Sequence, residues 1–495
     1  MTTLVILRFL GIFAVYTGVT LALPALMFRR ILRGRSLAEQ FLMCYTFGNF
    51  YIINIVFLLQ LLHISNFFTL AGLTAVLSIV IGGRVNRIPL KQQAGNTWHL
   101  FSKLLRGRMK LKSAIFLFLG KCAAGIKRLA KFFYRHIVKN PIQSMLLLGI
   151  GVCLCWIYGR QIILVYGYRA SDIPVHMSWI NEMSRGKIFA KGVYPFGFHC
   201  MIYYLHAVFR FDTYVILCQF FFAQVIFMHL VLLAMLKQLC KTKYIPYIGT
   251  FVFLLGNFWS GQTYSRFYAT LPQEFGMIFV IPSIYFLIRF FQIPKQKLAD
   301  KETRLTLQCF AMAFSLTLAI HFYGTMIAGL CCIGIACGFC FRFLRKEYFC
   351  RIMFTGICSV FLAVLPMGIA FATGTPLQGS LGWGLSVING GKSSSSTDTE
   401  AETDEAETLE VSTGDDKNTV RVVKPDGTVM EIDVSDLPSA QENESGGQTQ
   451  TETTAPAVPK VSFGEKIRKI PGKAKNALSE MSSRILEFII KLDVK

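Results

Sequence analysis

Long apolar stretches, separated by short basic or polar segments, dominate the chain up to residue 372. Each is close to the length of about 20 residues that an α-helix needs to cross a hydrocarbon core about 30 Å thick. The pattern therefore predicts an all-α, polytopic transmembrane bundle of about ten spans. The sixth span is short, and the eighth and ninth nearly meet at His321. The predicted spans are 3–28, 37–62, 66–83, 141–166, 213–236, 244–259, 274–292, 305–322, 323–341 and 351–372.

The same pattern divides the chain into segments. Three spans occupy residues 1–83, a basic insert occupies 84–139, and the remaining spans lie within 141–390. Apolar residues in the insert alternate with lysine and arginine, which is typical of a helix lying in the membrane interface. An eleventh span is the alternative, but it would place several cations at mid-bilayer, where they are costly.

The C-terminal part has a different composition. Residues 391–462 are rich in Ser, Thr, Glu and Asp and too poor in apolar residues to favour ordering, so we expect an acidic, disordered tether. One hairpin signal interrupts it, because β-prone runs at 420–423 and 428–432 flank a Pro-Asp-Gly turn. Residues 463–495 space apolar residues at helical intervals among lysines, which predicts an amphipathic surface helix. A chain that stops there leads us to expect further spans beyond residue 495.

Composition and charge indicate a membrane protein. Hydrophobic residues make up 53% of the chain and charged residues 16%, which excludes a water-soluble enzyme. A net charge of +23 would fit nucleic-acid binding, but here the cations lie between apolar stretches, where they hold loops at an anionic membrane surface. We therefore expect membrane lipids, and no nucleic acid, as partners. No P-loop, dinucleotide fingerprint or nucleophile elbow occurs in the sequence, so ATP-driven pumping and hydride transfer lose support.

The distribution of cations predicts the orientation, because Lys and Arg in short loops stay on the cytoplasmic side. If residues 29–36 are inside, the inside segments contain 30 Lys or Arg and the outside segments up to residue 390 contain seven. We therefore expect a multi-pass cell-membrane protein with its N-terminus and acidic tail outside.

One outer loop is unusually polar. Pro174 falls in the first turn of a helix, and the i,i+4 spacing puts Asp172 and His176 on one face of it. A carboxylate beside an imidazole can serve in acid–base chemistry or bind a metal. The alternative is that Asp172 only caps the helix and His176 is a solvated surface residue. The loop continues through Tyr194 and His199 into a run too short to span, which we expect to lie flat along the outer leaflet.

Other polar residues reach the same predicted face. Arg266 could hold a phosphate with its planar donor fork, or extend toward lipid headgroups. Glu274 begins a span and needs a partner, for which Arg266 is a candidate. Gln273 precedes it, and His321 ends a span at the same level, where a lone histidine can also be a hydrogen-bonded core residue. The topology thus predicts one outer cavity that contains an acid, imidazoles and a phosphate-binding cation.

On these residues and their order, the arrangement resembles the GT-C superfamily of polytopic glycosyltransferases. The resemblance covers roughly residues 141–390, with an acid, here Asp172, opening the first large external loop and interfacial helices around Tyr194 and His199. It implies a sugar donor on a polyprenyl phosphate, and transfer with inversion to a cell-envelope glycan, lipid or protein acceptor on the outer face. Asp172 would be the catalytic base or a metal-associated carboxylate, with Mg²⁺ or Mn²⁺ as the metal, and Arg266 would hold the donor phosphate.

Two other functions stay open at this point. A transporter or lipid-linked-glycan flippase would need polar groups at mid-membrane and broken helices in related halves, and Pro282 does interrupt the seventh span. An envelope assembly scaffold would use the acidic tether and the surface helix to recruit partners. The sugar, the acceptor, the linkage and the oligomeric state do not follow from the sequence.

Overall fold

The computed structural model describes residues 2–87, 137–164 and 167–379, isolated positions between 95 and 134, and three strands between 410 and 433. The chain divides into a membrane unit, residues 1–385 with 488–495, and a second unit, residues 386–487. The predicted interfacial helix of the insert, most of the acidic tether and the predicted surface helix over 463–495 lie outside the described residues.

Helices make up the described part of the membrane unit, which confirms the all-α prediction there. In chain order they are α1 (Thr2–Met27), α2 (Arg29–Leu32), α3 (Leu37–Leu61), α4 (Phe67–Asn86), α5 (Pro141–Leu164), α6 (Ile173–Ser184), α7 (Gly197–Phe209), α8 (Thr213–Leu239), α9 (Ile245–Trp259), α10 (Gly261–Arg266), α11 (Pro272–Gln292), α12 (Lys301–Ile320), α13 (Phe322–Gly338), α14 (Cys340–Phe343) and α15 (Lys346–Ala372). Helices α1 and α5 each contain a π-helical turn.

Eight of these helices are long and apolar enough to cross a membrane, namely α1, α3, α4, α5, α8, α11, α12 and α15. The membrane unit is therefore a polytopic helical bundle. Two of the ten predicted spans, the sixth and the ninth, form helices α9 and α13 of 15 and 17 residues. Both fall short of the roughly 20 residues of a full span, so length and composition support eight spans among the described residues.

Helix α12 defines the two ends of the bundle. Its 20 residues extend about 30 Å, the thickness of a hydrocarbon core. At its start, Glu302 Oε2 accepts a hydrogen bond from Arg35 Nη2 at 2.5 Å, and we call this side the Arg35 end. His321 follows its last residue and lies beside the segment that contains Asp172, and we call that side the Asp172 end.

The two shorter helices, α9 and α13, have neighbours at both ends. At the start of α9, Tyr247 accepts a hydrogen bond from Lys237 at 2.9 Å, and the adjacent Gln238 donates to Ser36 at the Arg35 end. The segment that follows α9 reaches the Asp172 end with α10. Helix α13 starts at the Asp172 end, and just after it Phe339 stacks on Phe291, which lies at the other end of α11. These contacts relate α9 and α13 to both ends of the bundle, while ten crossings and the orientation in the membrane stay predictions.

Polar groups near the middle of α1 and α3 bind one another. Tyr16 Oη lies 2.8 Å from Tyr45 Oη and donates to Asn49 Oδ1 at 3.0 Å, and all three side chains are buried. The helices approach so closely that a Cβ added at Gly48 would lie 2.4 Å from Thr20 O, so glycine is required there. Such mutual pairing is what the water-free interior of a bilayer demands.

Helix α7 is more buried than a helix at the surface of a leaflet would be. Every residue from Gly197 to Leu205 is buried, and the helix packs against α3, α4 and α8. It is therefore a packed element of the bundle, and its orientation along the leaflet stays a prediction. A Cβ at Gly197 would lie 2.8 Å from Ala319 O, which shows how tightly it meets α12.

The second unit contains an antiparallel sheet of strands β1 (Glu410–Thr413), β2 (Thr419–Val423) and β3 (Val429–Asp433), in that order. Thr419 pairs with Asp433 and Val423 with Val429. Strands β2 and β3 coincide with the two runs of the predicted hairpin. Strand β1 has one apolar residue and gave no comparable signal.

Candidate active site

A cavity of about 300 Å³ opens at the Asp172 end. Its walls come from the start of α6, the segment before α7, the end of α10, the start of α11, the junction of α12 and α13, and the chain after α15. The lining residues are Asp172, Val175, His176, Trp179, Tyr194, Arg266, Leu271, Pro272, Gln273, His321 and Gln378. Six of the eight predicted site residues line this cavity, and His199 and Glu274 lie directly behind it.

Asp172 and His176 occupy one face of α6, as the spacing predicts. Asp172 precedes the helix but its side chain makes no capping hydrogen bond; it accepts one from Ser171 Oγ at 3.2 Å. His176 is only 8% exposed. The alternative of a simple cap and a solvated histidine is therefore not what the structure shows, and the Asp172 carboxylate is exposed to the cavity.

His176 is paired with His199, a contact that the sequence did not predict. His199 Nε2 lies 3.0 Å from His176 Nδ1, and the His199 side chain is fully buried. Burial, partly opposed by Asp172, lowers the pKa of His176 to about 4, and burial with two neighbouring imidazoles lowers the pKa of His199 well below its ordinary value. Both rings are therefore neutral at pH 7, so one nitrogen of the pair donates and the other accepts.

The proton positions of this pair follow from the second nitrogen of His199. His199 Nδ1 is buried and has no hydrogen-bond partner among the described residues. An unpaired buried N–H is rarer than an under-used acceptor, so we infer that His199 carries its proton on Nε2 and donates it to His176 Nδ1. His176 then carries its own proton on Nε2 and acts as a hydrogen-bond donor, with no free basic nitrogen.

Tyr194 and His321 face each other across the cavity wall, with ring centroids 6.2 Å apart. His321 Nδ1 accepts from Tyr323 N at 3.3 Å and so caps α13. Burial, then His176 and Arg266, lowers the pKa of His321 to about 4, and burial, then Asp172, raises the pKa of Tyr194 to about 12. Both side chains are neutral donors at pH 7. His321 is thus a hydrogen-bonded core residue and also a wall of the cavity.

Arg266 pairs with Glu274, the partner that the buried acid was predicted to need. Arg266 Nε donates to Glu274 Oε1 at 2.5 Å, and Nη2 donates to Gln273 Oε1 at 2.7 Å. The Glu274 side chain is 8% exposed and that of Arg266 is 49% exposed. One edge of the guanidinium, formed by Nε and Nη2, is therefore occupied, and the Arg266 side chain also lines the cavity.

Five lining residues were not among the predicted site residues, and two of them, Trp179 and Gln378, add an aromatic ring and a polar side chain. Trp179 stacks on Phe196 with ring centroids 5.4 Å apart and presents an aromatic wall. Gln378 reaches the cavity because Val193 N donates to Pro376 O at 2.8 Å and Gln378 N donates to Val193 O at 3.2 Å. The periodicity around Trp179 could have indicated a second aromatic position on the face of His176, whereas nothing in the local sequence marks Gln378.

Comparisons of the chain with protein-family models, with curated proteins and with solved structures found no match. The chemistry of the cavity is therefore the basis for a function. It combines one accessible carboxylate, neutral imidazole and phenol donors, an aromatic wall, and one cation, the only Lys or Arg among the described lining residues.

Proposed function

We propose that the protein is an integral-membrane glycosyltransferase of the GT-C type. It moves a sugar from a polyprenyl-phosphate-linked donor to a cell-envelope glycan, lipid or protein acceptor on the outer face of the cell membrane. The observation that carries the proposal is the cavity at the Asp172 end, to which separate elements contribute a carboxylate, imidazoles, a phenol and a guanidinium. The proposal includes ten crossings, with α9 and α13 among them, and an N-terminus and acidic tail outside.

Asp172 acts as the general base. Its carboxylate takes the proton of the acceptor hydroxyl while that oxygen forms a bond to the anomeric carbon of the sugar. The bond from that carbon to the phosphate oxygen breaks, and the polyprenyl phosphate leaves with the electron pair. Attack opposite the leaving group inverts the anomeric carbon. His176 does not accept this proton, because its Nδ1 is already bonded to His199 and its Nε2 carries a proton.

Arg266 stabilises the departing phosphate. Charge builds on the phosphate oxygen as the bond breaks, and a preorganised guanidinium donor beside it lowers the energy of that state. Glu274 and Gln273 hold the guanidinium at the wall of the cavity. The same pairing offsets part of its positive charge, which favours a leaving group with a single phosphate over a pyrophosphate.

The remaining lining residues suit a sugar. His176, His321 and Tyr194 are neutral donors that can bind hydroxyl groups without attracting a competing anion. Trp179 and Tyr194, whose ring centroids lie 5.5 Å apart, form an apolar wall of the kind that covers a sugar ring. A cavity of about 300 Å³ is at the lower end of the range for small-molecule sites, so it accommodates one sugar with its phosphate.

A metal is the other possibility that the resemblance implies. The described residues contain no group of three or more His, Cys, Asp or Glu placed to hold one, and Glu274 is already bound by Arg266. The donor set does not fit a protein-held Mg²⁺ or Mn²⁺, and no step of the mechanism uses one.

The proposal is tested in cells that lack the protein. Mass spectrometry of their lipids should show a polyprenyl-phosphate sugar that accumulates and that disappears when the wild-type chain is restored. If the lipids of these cells did not differ from those of the wild type, a glycosyltransferase function would be contradicted. Uphill solute uptake into inside-out vesicles without sugar transfer would favour a transporter, and a phenotype that depends only on residues 391–495 would favour a scaffold.

A further inference from the structure

A second polar cavity lies at the Arg35 end of the bundle. It has a volume of about 780 Å³. Arg30, Arg33 and Arg35 line it from α2 and the turn that follows, and Arg84 and Arg87 line it from the C-terminal end of α4. Five guanidinium groups from two segments therefore border one space, which we call the basic pocket.

The start of α12 forms the third side of the basic pocket. Lys301 and Arg304 add two cations, and Glu302 is the only acid among the described residues that line it. Glu302 and Glu39 accept hydrogen bonds from the same guanidinium, that of Arg35, at 2.5 and 2.6 Å. Both nearby carboxylates are therefore used by one arginine.

The other six cations have no carboxylate partner among the described residues. Arg304 Nη2 donates to a backbone oxygen, that of Ala299, at 3.3 Å. Like charges that line one cavity repel one another. The preference of cations for the cytoplasmic side explains why they lie at this end, but it does not explain why three separate elements place them around a single cavity. A bound anion would offset the repulsion.

The chemistry of the basic pocket selects phosphate. A guanidinium presents parallel donors that match two oxygens of a phosphate, and several of them together favour a ligand with more than one phosphate group. The pocket lies at the end of a helix about as long as the hydrocarbon core is thick, which is the level of lipid headgroups. Ile31, Val85 and Leu305 give it apolar lining as well, which suits the glycerol and first methylenes of a lipid better than a free ion.

We propose that the basic pocket binds clustered phosphate groups carried by an anionic lipid headgroup. The site shares no residue with the cavity at the Asp172 end, so its occupation can be measured without a sugar-transfer assay. Basic pockets between membrane helices are a recognised setting for such headgroups.

The test uses the full chain, purified in detergent and stripped of lipid. Cardiolipin, which carries two phosphates, phosphatidylcholine and inorganic pyrophosphate are added separately, and binding is followed by thermal unfolding and native mass spectrometry. Cardiolipin should raise the unfolding temperature and be retained as a discrete adduct, whereas phosphatidylcholine should not. Saturable pyrophosphate binding without cardiolipin binding would overturn the assignment to a lipid and assign a soluble phosphate.

Matched variants distinguish binding in the basic pocket from general attraction to surface charge. The double variant Arg33→Gln with Arg84→Gln removes two exposed cations of the pocket and should weaken cardiolipin binding at least about tenfold. Lys243→Gln with Arg345→Gln removes the same charge from exposed positions outside the pocket and should leave binding within about twofold. Equal losses in both double variants would show attraction to surface charge only and would overturn the proposal.

Discussion

The two cavities at opposite ends of α12 are built on opposite principles. At the Asp172 end the polar groups are mostly buried and bound to each other, and the single cation is held by Glu274. At the Arg35 end six of the seven cations that line the cavity are exposed, and two acids pair only with the seventh, Arg35. The first arrangement positions a few groups accurately, whereas the second concentrates charge.

This difference shows which polar residues need a functional explanation. Cations at the predicted cytoplasmic end are expected of any membrane protein, so their number there says little and only their convergence is informative. The opposite end has few charged residues, and burying Glu274 and three imidazoles costs free energy that packing alone would not require. The burial of polar groups at the Asp172 end is therefore the stronger sign of a site.

The two ends of the bundle are expected to face opposite sides of the membrane. Lys187→Cys and Lys243→Cys place thiols at exposed positions that belong to opposite predicted faces. A membrane-impermeant maleimide applied to intact cells should label the first and not the second, after subtraction of the labelling of the native cysteines in the parent chain. Labelling of Lys243→Cys alone would invert the topology.

Arg266→Gln should lower sugar transfer about a hundredfold, because it removes the donor that stabilises the leaving phosphate. The rate is the initial consumption of the lipid-linked sugar by membranes that contain equal amounts of protein. The double variant with Glu274→Gln removes the unpaired buried acid and should recover stability without recovering the rate. If the double variant recovers the rate, Arg266 only neutralises Glu274.

Acid should destabilise the Asp172 end. His321 has a pKa of about 4 in the folded chain and about 6.5 when unfolded. Between these values the unfolded chain binds a proton that the folded chain does not, so the free energy of unfolding falls as the pH drops below about 6.5. Between pH 7 and pH 5 the free energy of unfolding of His321→Gln should therefore fall by about 2 kcal/mol less than that of the wild type. Thermal unfolding measures this difference. The exposed His63→Gln is the control, and parallel curves for all three proteins would contradict the burial of His321.

The smallest expected effect is a difference in stability. It concerns how much free energy of unfolding is lost when each of the two arginine–carboxylate pairs is broken. Glu302 is 70% exposed, so Glu302→Gln should cost less than about 1 kcal/mol of the free energy of unfolding. Arg266→Gln leaves the buried Glu274 without its cation and should cost about 1–3 kcal/mol. Thermal unfolding of both variants at pH 7 measures this contrast, and equal costs would show that the two ends do not differ in burial.

Hydrophobic length and charge bias were sufficient to predict much of the fold and the convergence of the site. The spans follow from the cost of exposing backbone to lipid, and the pairing of Glu274 with Arg266 follows from the cost of burying a lone charge. The count of ten spans stays a prediction, because α9 and α13 have 15 and 17 residues and are shorter than a full span.

The rest depends on tertiary packing that no local pattern encodes. The burial of α7 and the contact of His199 with His176 require several helices to meet. Gln378 enters the cavity through backbone pairing with Val193. The basic pocket combines residues from three distant segments, and each of them alone is an ordinary cytoplasmic cluster of cations.

The most direct measurement compares two conservative variants in cells that lack the wild-type chain. Asp172→Asn removes the proposed base, whereas Asp212→Asn changes an acid that only caps α8, a role that asparagine fills equally well. With both proteins at equal abundance, Asp172→Asn should leave the polyprenyl-phosphate sugar at the level of the empty cells, and Asp212→Asn should return it to the wild-type level. If Asp172→Asn returned it to the wild-type level, sugar transfer by the cavity at the Asp172 end would be contradicted.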